Sequence, residues 1–148
     1  MTDFRQLTDT VWASPQISED DVARAAERGF ALIVNNRPDG EEPGQPEGAD
    51  IAAAAEAAGM GYAEIPVGHA GFSEPQIDAM DEVLAKAGPD AKVLAFCRSG
   101  TRSTFLWALA RARAGADPEQ LAASAAAAGY DVSPIRPTMD MLAARASD

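Results

Sequence analysis

Cysteine and histidine are almost absent from this sequence, and their scarcity excludes several kinds of site. The chain of 148 residues contains one cysteine, Cys97, and one histidine, His69. A single cysteine forms neither an intrachain disulfide nor a cysteine metal cluster. The carboxylates of Asp39, Glu41 and Glu42 lack the companions and spacing of a metal site, so we expect neither a metal nor another cofactor.

Long apolar runs are also missing. No segment is long and apolar enough to span a bilayer, and the start, MTDFRQLTDT, has no basic region followed by an apolar core. We therefore expect no signal peptide. A lone thiol suits a reducing compartment, so we expect a cytoplasmic protein, and the heavy use of alanine suggests a bacterial one.

Basic residues are few, and this limits the partners. Lysine and arginine together number 12, against 23 acidic residues, which gives a formal net charge of -11. Nucleic acid and anionic membrane surfaces would be repelled. A small anionic substrate is compatible with this charge where basic groups are concentrated locally, and the stretch CRSGTRS supplies such a concentration.

Strand and helix signals alternate along the whole chain. The apolar stretches TVWASP, FALIVN, GYAEIPV and AKVLAF have the length of strands, and polar or glycine-terminated segments with helical character separate them. This alternation predicts a single α/β domain over residues 1–148, with a mostly parallel four- to five-stranded sheet flanked by helices. Ser18, Ser73 and Asp117 are the predicted helix N-caps.

Cys97 directly follows the buried strand AKVLAF and precedes a helix. Thiolates are the reactive form of cysteine, and helix N-termini and nearby cations favour them. The backbone amides of such a loop can hold an anion. The usual role of a lone cysteine is that of a small buried apolar residue, but two arginines and a glycine are poor neighbours for it. We therefore interpret Cys97 as a nucleophile.

The other residues of CRSGTRS have complementary predicted roles. Gly100 allows a backbone turn that a Cβ would hinder, and Arg102 can return a guanidinium fork to a bound oxyanion. The remaining loop positions are predicted to contact substrate through amides or side chains: Arg98, Ser99, Thr101 and Ser103. Ser103 could alternatively cap the helix, and Arg98 could face solvent.

Two candidates lie outside this loop. His69 could act as an acid, a base or an orienting group opposite Cys97, or it could be an exposed loop histidine. Arg37 follows a strand at the edge where parallel sheets bind ligands. It could contact substrate, or it could hold its loop by pairing with Asp39 or Glu41. Glu74 suits the first turn of its helix but could also serve as an acid.

Several stretches together resemble a known family. They are SPQIS (14–18), GFALIVNNRPDGEEPGQP (29–46), IPV (65–67), FCRSGTRS (96–103) and AAAAGYD (125–131). The chain resembles the bacterial beta-lactamase-hydrolase-like, phosphatase-like domain family, which is also described as a sulfurtransferase family. The resemblance implies a fold like that of the dual-specificity and tyrosine phosphatases, with Cys97 at the base of the anion loop. It also implies a link to persulfide-oxidising enzymes, since members occur fused to persulfide dioxygenase domains.

The sequence departs from the tyrosine phosphatase pattern at three points. Phe96 replaces the histidine before the cysteine, and four residues rather than five separate Cys97 from Arg102. The stretch PVGHAGF contains no aspartate at the place of the general acid. A shorter loop forms a smaller ring of backbone amides. Such a ring suits one extra sulfur atom on the cysteine, as in rhodaneses, better than a phosphate group.

Three functions compete at this stage. Sulfur transfer through a Cys97 persulfide is the leading hypothesis, with thiosulfate or a small persulfide as donor and an external thiol as acceptor. The first alternative is a phosphatase with a Cys97 phosphocysteine intermediate and His69 or Glu74 as acid. The second alternative is a module that binds an oxyanion or a persulfide without turnover.

Overall fold

The computed structural model describes residues 2–68 and 70–146. The strands are β1 (Arg5–Gln6), β2 (Val11–Ser14), β3 (Phe30–Asn35), β4 (Gly61–Glu64) and β5 (Lys92–Phe96). The helices are α1 (Glu19–Glu27), α2 (Gly48–Ala57), α3 (Glu74–Ala87), α4 (Thr101–Arg113), α5 (Pro118–Ala127) and α6 (Arg136–Ala146), and a 3₁₀ turn (Ser133–Ile135) precedes α6.

The five strands form one sheet in the order β1-β2-β5-β3-β4. Strands β2, β5, β3 and β4 are parallel, and β1 pairs with β2 in the antiparallel direction. The prediction of a mostly parallel sheet flanked by helices is therefore confirmed. The sequence analysis did not foresee β1, which has two residues and hence no periodicity to read.

Side-chain caps begin three of the helices where the sequence predicts them. Ser18 forms a capping box with Asp21 at the start of α1, and Ser73 forms one with Gln76 at the start of α3. The carboxylate of Asp117 accepts a hydrogen bond from the Glu119 amide at the start of α5. Each cap supplies an acceptor for an amide that the helix itself leaves unpaired.

Apolar cores cover both faces of the sheet. On one face, α4 packs against α3, α5 and α6, and Trp107 is 1% exposed in this layer. On the other face, α1 and α2 pack together over Ile33, Leu94 and Phe96. The strand β5 lies between β2 and β3, and its side chains are buried in the two cores alternately, with Val93 and Ala95 on one face and Leu94 and Phe96 on the other. This burial fixes the position at which the chain emerges at Cys97.

No helix in the described part of the chain has the length and apolar character needed to cross a membrane. Helix α4 begins at Thr101, inside the stretch CRSGTRS rather than after it. The difference matters for the site, because the second half of CRSGTRS is the first turn of this helix.

Candidate functional site

Three chain segments leave the sheet side by side at its carboxyl edge. The last residues of β2, β5 and β3 are in register, with Phe96 paired to both Ser14 and Asn35. The segments that follow them carry the stretches around Gln16, Cys97 and Arg37. Because ligands bind at this edge of open parallel sheets, the candidate functional residues meet where the topology favours a site.

Cys97 lies at the base of a tight loop. Its amide donates to the Ser14 carbonyl at 3.3 Å, and its Sγ accepts a hydrogen bond from the Gly100 amide at 3.1 Å. The residue is fully buried, so a substrate has to be small or to enter past the loop's exposed residues. An amide aimed at the sulfur stabilises negative charge there.

The loop runs directly into the N-terminus of α4. Thr104 donates the first intrahelical bond, from its amide to the Gly100 carbonyl at 3.0 Å. The amides of the preceding turn therefore have no partner inside the helix, although the Thr101 amide contacts the Ser99 Oγ at 3.3 Å. A helix start of this kind favours an anion beside Cys97.

Tyr130 closes the loop from the opposite side. Its hydroxyl donates to the Ser99 carbonyl at 3.1 Å, and burial raises the pKa of Tyr130, which keeps the phenol a donor. Gly100 has φ of +94°, and a Cβ at this position would lie 2.0 Å from the Tyr130 hydroxyl. Tyr130 was missed in the sequence analysis. Its stretch AAAAGYD contributes to the family resemblance, which was the one available signal.

Arg102 points its guanidinium towards the site. Its Nη1 donates to Glu41 Oε2 at 2.7 Å and to the Val67 carbonyl at 2.6 Å, and its Nη2 donates to Glu41 Oε1 at 2.8 Å. These three bonds involve the Nη1 and Nη2 end of the guanidinium. Its Nε side is a second two-donor fork, of a geometry that suits an oxyanion. The hydrogen bonds to Glu41 raise the pKa of Arg102, and the Cys97 side chain adds a smaller contribution in the same direction.

Glu41 is the carboxylate that borders the loop. Hydrogen bonds from Arg102 and then from Arg37 lower its pKa to about 2. The group is therefore ionised throughout the neutral range and has no proton to give to a leaving group. Its contribution is to hold the Arg102 guanidinium.

Arg37 is buried, with its side chain 1% exposed. Its three nitrogens donate to Glu41 Oε1 at 2.8 Å, Gln16 Oε1 at 3.0 Å and Glu42 Oε1 at 2.9 Å. Of the two predicted roles for Arg37, this geometry favours pairing over direct substrate contact. Arg98 is different: its side chain is 69% exposed, and its Nη2 lies 3.7 Å from Glu42.

Ser103 has a partner that the sequence did not indicate. It is fully buried, and its hydroxyl donates to Asn36 Oδ1 at 2.7 Å instead of capping the start of α4. The Asn36 side chain in turn donates to the Ile65 carbonyl at 2.9 Å. Ser103 thereby connects α4 to the chain after β3 and to the segment after β4.

His69 lies outside the described residues, so its catalytic role stays a prediction. Within residues 2–68 and 70–146, no group of three or more histidine, cysteine, aspartate or glutamate side chains could hold a metal ion. Glu74 begins α3 and is exposed to solvent. The residues that the structure brings together are thus Cys97, Gly100 and Arg102, with Glu41 and Tyr130 around them.

Comparison with known proteins gives one matching family and several similar structures. The model of the beta-lactamase hydrolase-like protein, phosphatase-like domain matches residues 3–114. A beta-lactamase hydrolase-like protein of Agrobacterium fabrum is 41% identical over 106 residues, which cover 72% of this chain and 24% of the relative. The chain thus spans about a quarter of the length of this curated relative.

Solved structures show the same fold. A provisionally named phosphatase of Neisseria meningitidis superposes with a TM-score of 0.80 at 31% identity, covering 94% of this chain and 97% of that one. A kinase associated phosphatase superposes with a TM-score of 0.74 at 14% identity, covering 99% and 96%. The second likeness concerns the fold alone. Since the family model matches residues 3–114, we conclude that the chain belongs to the phosphatase-like domain family of the beta-lactamase hydrolase-like proteins.

Proposed function

We propose that this domain is a cysteine-dependent phosphatase that hydrolyses small phosphomonoesters through a Cys97 phosphocysteine. The observation that carries the proposal is the Gly100 amide on the Cys97 sulfur at 3.1 Å, at the start of the helix whose second residue, Arg102, is held by Glu41 through its Nη1 and Nη2 atoms. The phosphatase-like family and the phosphatase names of the similar structures favour this function over sulfur transfer, the leading hypothesis from the sequence.

The reaction needs two displacements at phosphorus. The Cys97 thiolate attacks the phosphorus, an S–P bond forms, and the P–O bond to the leaving group breaks. Water then attacks the phosphocysteine, the S–P bond breaks, inorganic phosphate leaves, and the proton released by water passes to solvent. The loop amides and the Arg102 fork hold the equatorial oxygens, on which charge is spread in the transition state.

The leaving group limits the substrates. Glu41 is ionised, and the segment 65–68 after β4 contributes no carboxylate. General acids typically contribute about 10²–10⁴-fold in rate. We therefore expect aryl phosphates, whose leaving groups depart as stable anions, to react much faster than alkyl phosphates. His69 remains the candidate acid in the same segment of chain.

Sulfur transfer is the second candidate, and the short loop favours it. Four residues separate Cys97 from Arg102, so the ring of donors is smaller than one built for phosphate. In that reaction Cys97 attacks the outer sulfur of thiosulfate, the S–S bond breaks, and sulfite leaves. An external thiolate or cyanide then removes the outer sulfur of the persulfide. Under this alternative the partners would be an external thiol and persulfide-oxidising enzymes in a reducing cytoplasm.

A paired assay separates these functions. Hydrolysis of an aryl phosphate and thiosulfate-to-cyanide sulfur transfer are measured for the wild type and for Cys97→Ser. Phosphate release that disappears in Cys97→Ser, with negligible sulfur transfer, is the expected result. Cys97-dependent sulfur transfer without phosphate release would overturn the phosphatase in favour of the second candidate. Binding of inorganic phosphate with neither turnover would indicate the non-catalytic module.

Aryl phosphates whose leaving phenols differ in basicity test directly whether the site lacks a general acid. Without a general acid, the rate of the first step depends steeply on the basicity of the leaving phenol. We expect kcat/KM to fall strongly as that basicity rises. A flat dependence would show that an acid protonates the leaving group, and His69→Ala would then be the variant to examine.

A further inference from the structure

Arg37 is one of the most deeply buried side chains in the described part of the chain, although it carries a full charge. Burying a charge is costly unless paired and hydrogen-bonded. Each nitrogen of its guanidinium donates to a different protein side chain: Nε to Glu41, Nη1 to Gln16 and Nη2 to Glu42. Arg37 thus connects three separate side chains, and each of these three branches leads to a part of the Cys97 loop.

Two of the branches lead to opposite ends of the Cys97 loop. Gln16, which accepts from Arg37 through its side chain, donates its backbone amide to the Arg98 carbonyl at 3.2 Å. Glu41 Oε1 is shared, since it accepts from Arg37 Nε at 2.8 Å and from Arg102 Nη2 at 2.8 Å. One side chain thus supports both the Arg98–Ser99 peptide near the start of the loop and the Arg102 guanidinium at its end.

The third branch leads to the exposed rim of the loop. Glu42 accepts from Arg37 through Oε1, and its other oxygen lies 3.7 Å from the Arg98 guanidinium. This last contact is long and solvent-exposed, and such pairs contribute little. The Arg98 side chain is therefore weakly held at the exposed rim, while the backbone carbonyl of the same residue accepts a hydrogen bond from the Gln16 amide.

We propose that Arg37 is a positioning residue that fixes the two ends of the Cys97 loop, through Gln16 and Glu41, in the geometry that binds an oxyanion. The identity of the reaction rests on the proposed function, but the effect on anion binding does not. Arg37 does not touch the substrate. It acts by holding the Glu41 carboxylate, which in turn fixes the orientation of the Arg102 guanidinium and of its Nε side.

The three-way geometry requires a guanidinium. A planar fork donates in fixed directions to three separate acceptors, whereas a lysine ammonium is a point charge on a flexible stem. We therefore expect Arg37→Lys to keep the charge and still lose the alignment of the loop. Arg37→Gln removes both the charge and the alignment of the loop. Arg24, whose Nη2 bonds the Thr2 carbonyl and Asp21 on α1, supplies a matched control through Arg24→Gln.

The test measures inorganic phosphate binding by calorimetry in the Cys97→Ser background, so that it does not depend on turnover. The variants are Arg37→Lys, Arg37→Gln, Glu41→Gln, Arg37→Gln with Glu41→Gln, and Arg24→Gln. Circular dichroism and thermal unfolding identify temperatures at which every variant is folded. We expect phosphate affinity to fall about tenfold or more in both Arg37 variants and to stay unchanged in Arg24→Gln.

The double variant separates positioning from general destabilisation. Because Arg37 acts in part through Glu41, the two substitutions share that part of the effect, and the combined loss of phosphate affinity should be smaller than the sum of the two single losses. Additive losses, or folded Arg37 variants with wild-type phosphate affinity, would overturn the proposal. A failure of the phosphatase assay with these binding results intact would overturn the proposed function and leave the role of Arg37 standing. Where Arg37→Gln does not fold, Gln16→Ala tests the branch to Arg98 in its place, and unchanged affinity there would contradict the account.

Discussion

The Tyr130 hydroxyl occupies the space that a Cβ on Gly100 would need. The separation would be 2.0 Å, and the backbone at Gly100 has φ of +94°. The same hydroxyl bonds the Ser99 carbonyl at 3.1 Å. A residue from the segment after α5 therefore dictates the shape of the loop that holds the Cys97 sulfur.

This contact predicts that Gly100→Ala is strongly destabilising and inactive. Backbone strain and overpacking together should lower the free energy of unfolding by about 2–4 kcal/mol. Gly29→Ala is the matched control, because Gly29 also has a positive φ, of +84°, but a Cβ added there would meet no atom within 4 Å. Chemical denaturation should give a loss of about 1 kcal/mol for the control. Equal losses in the two variants would contradict a steric role for Tyr130.

Arg102→Lys should impair the site while preserving its charge. The ammonium lacks the two-sided geometry with which Arg102 holds Glu41 and presents its Nε side. We expect kcat/KM on an aryl phosphate to fall about 10²-fold. Arg111→Lys, an exposed position on the same helix, is the control and should retain activity. If kcat/KM of Arg102→Lys stayed within about threefold of the wild-type value, the site would not depend on the two-donor geometry of a guanidinium at this position.

Protonation of Glu41 should make the free energy of unfolding depend on pH in the acid range. Arg102 and then Arg37 hold its folded-state pKa at about 2, below the ordinary value of 4.5. The resulting stabilisation is complete above the unfolded-state pKa and is lost as the pH falls from about 4.5 to about 2. We expect the difference in unfolding free energy between the wild type and Glu41→Gln to shrink by about 2 kcal/mol between about pH 7 and about pH 3.

The measurement is urea denaturation of both proteins between about pH 7 and about pH 3. Glu82→Gln is a suitable control, since Glu82 pairs with Lys86 on the surface of α3. Its difference from the wild type should change far less with pH. A Glu41→Gln difference that stays constant with pH would mean that the carboxylate is not held by its arginines.

Ser103→Ala should destabilise the domain more than it affects chemistry. The substitution removes the donor at 2.7 Å from the buried Asn36 Oδ1 and leaves that oxygen without its hydroxyl partner. An unsatisfied buried acceptor costs about 1–3 kcal/mol. Thermal unfolding should show the loss, and Ser124→Ala on α5 should change stability by less than about 0.5 kcal/mol. A large fall in kcat with unchanged stability would instead give Ser103 a direct role at the sulfur.

The strands and the position of Cys97 directly after the central strand could be predicted because their signals are local. FALIVN and the apolar part of AKVLAF are uninterrupted apolar runs, and β3 and β5 coincide with them within one residue. The start of α4 was less accessible to sequence reasoning. Gly100 adopts a left-handed conformation at the N-cap, so the helix begins without the Ser, Thr, Asp or Asn that usually marks such a position.

The partners of the site residues could not be predicted, because they come from distant parts of the chain. The burial of Arg37 depends on Gln16 as well as on its own loop, and the position of Gly100 depends on Tyr130, 30 residues further along. Ser103 meets Asn36 only after β3 and β5 pair. A motif indicates which residue types share a loop, whereas tertiary packing decides which acceptor each donor finds.

The mass of the Cys97 peptide during turnover tests the central claim most directly. The protein is mixed with an aryl phosphate, quenched in acid within the first turnovers, digested and analysed by mass spectrometry, with a parallel sample exposed to thiosulfate. The account predicts a phosphoryl group on Cys97 in the first sample and none in Cys97→Ser. An unmodified Cys97 with the phosphate ester, together with one added sulfur atom after thiosulfate, would contradict the phosphatase and assign the site to sulfur transfer.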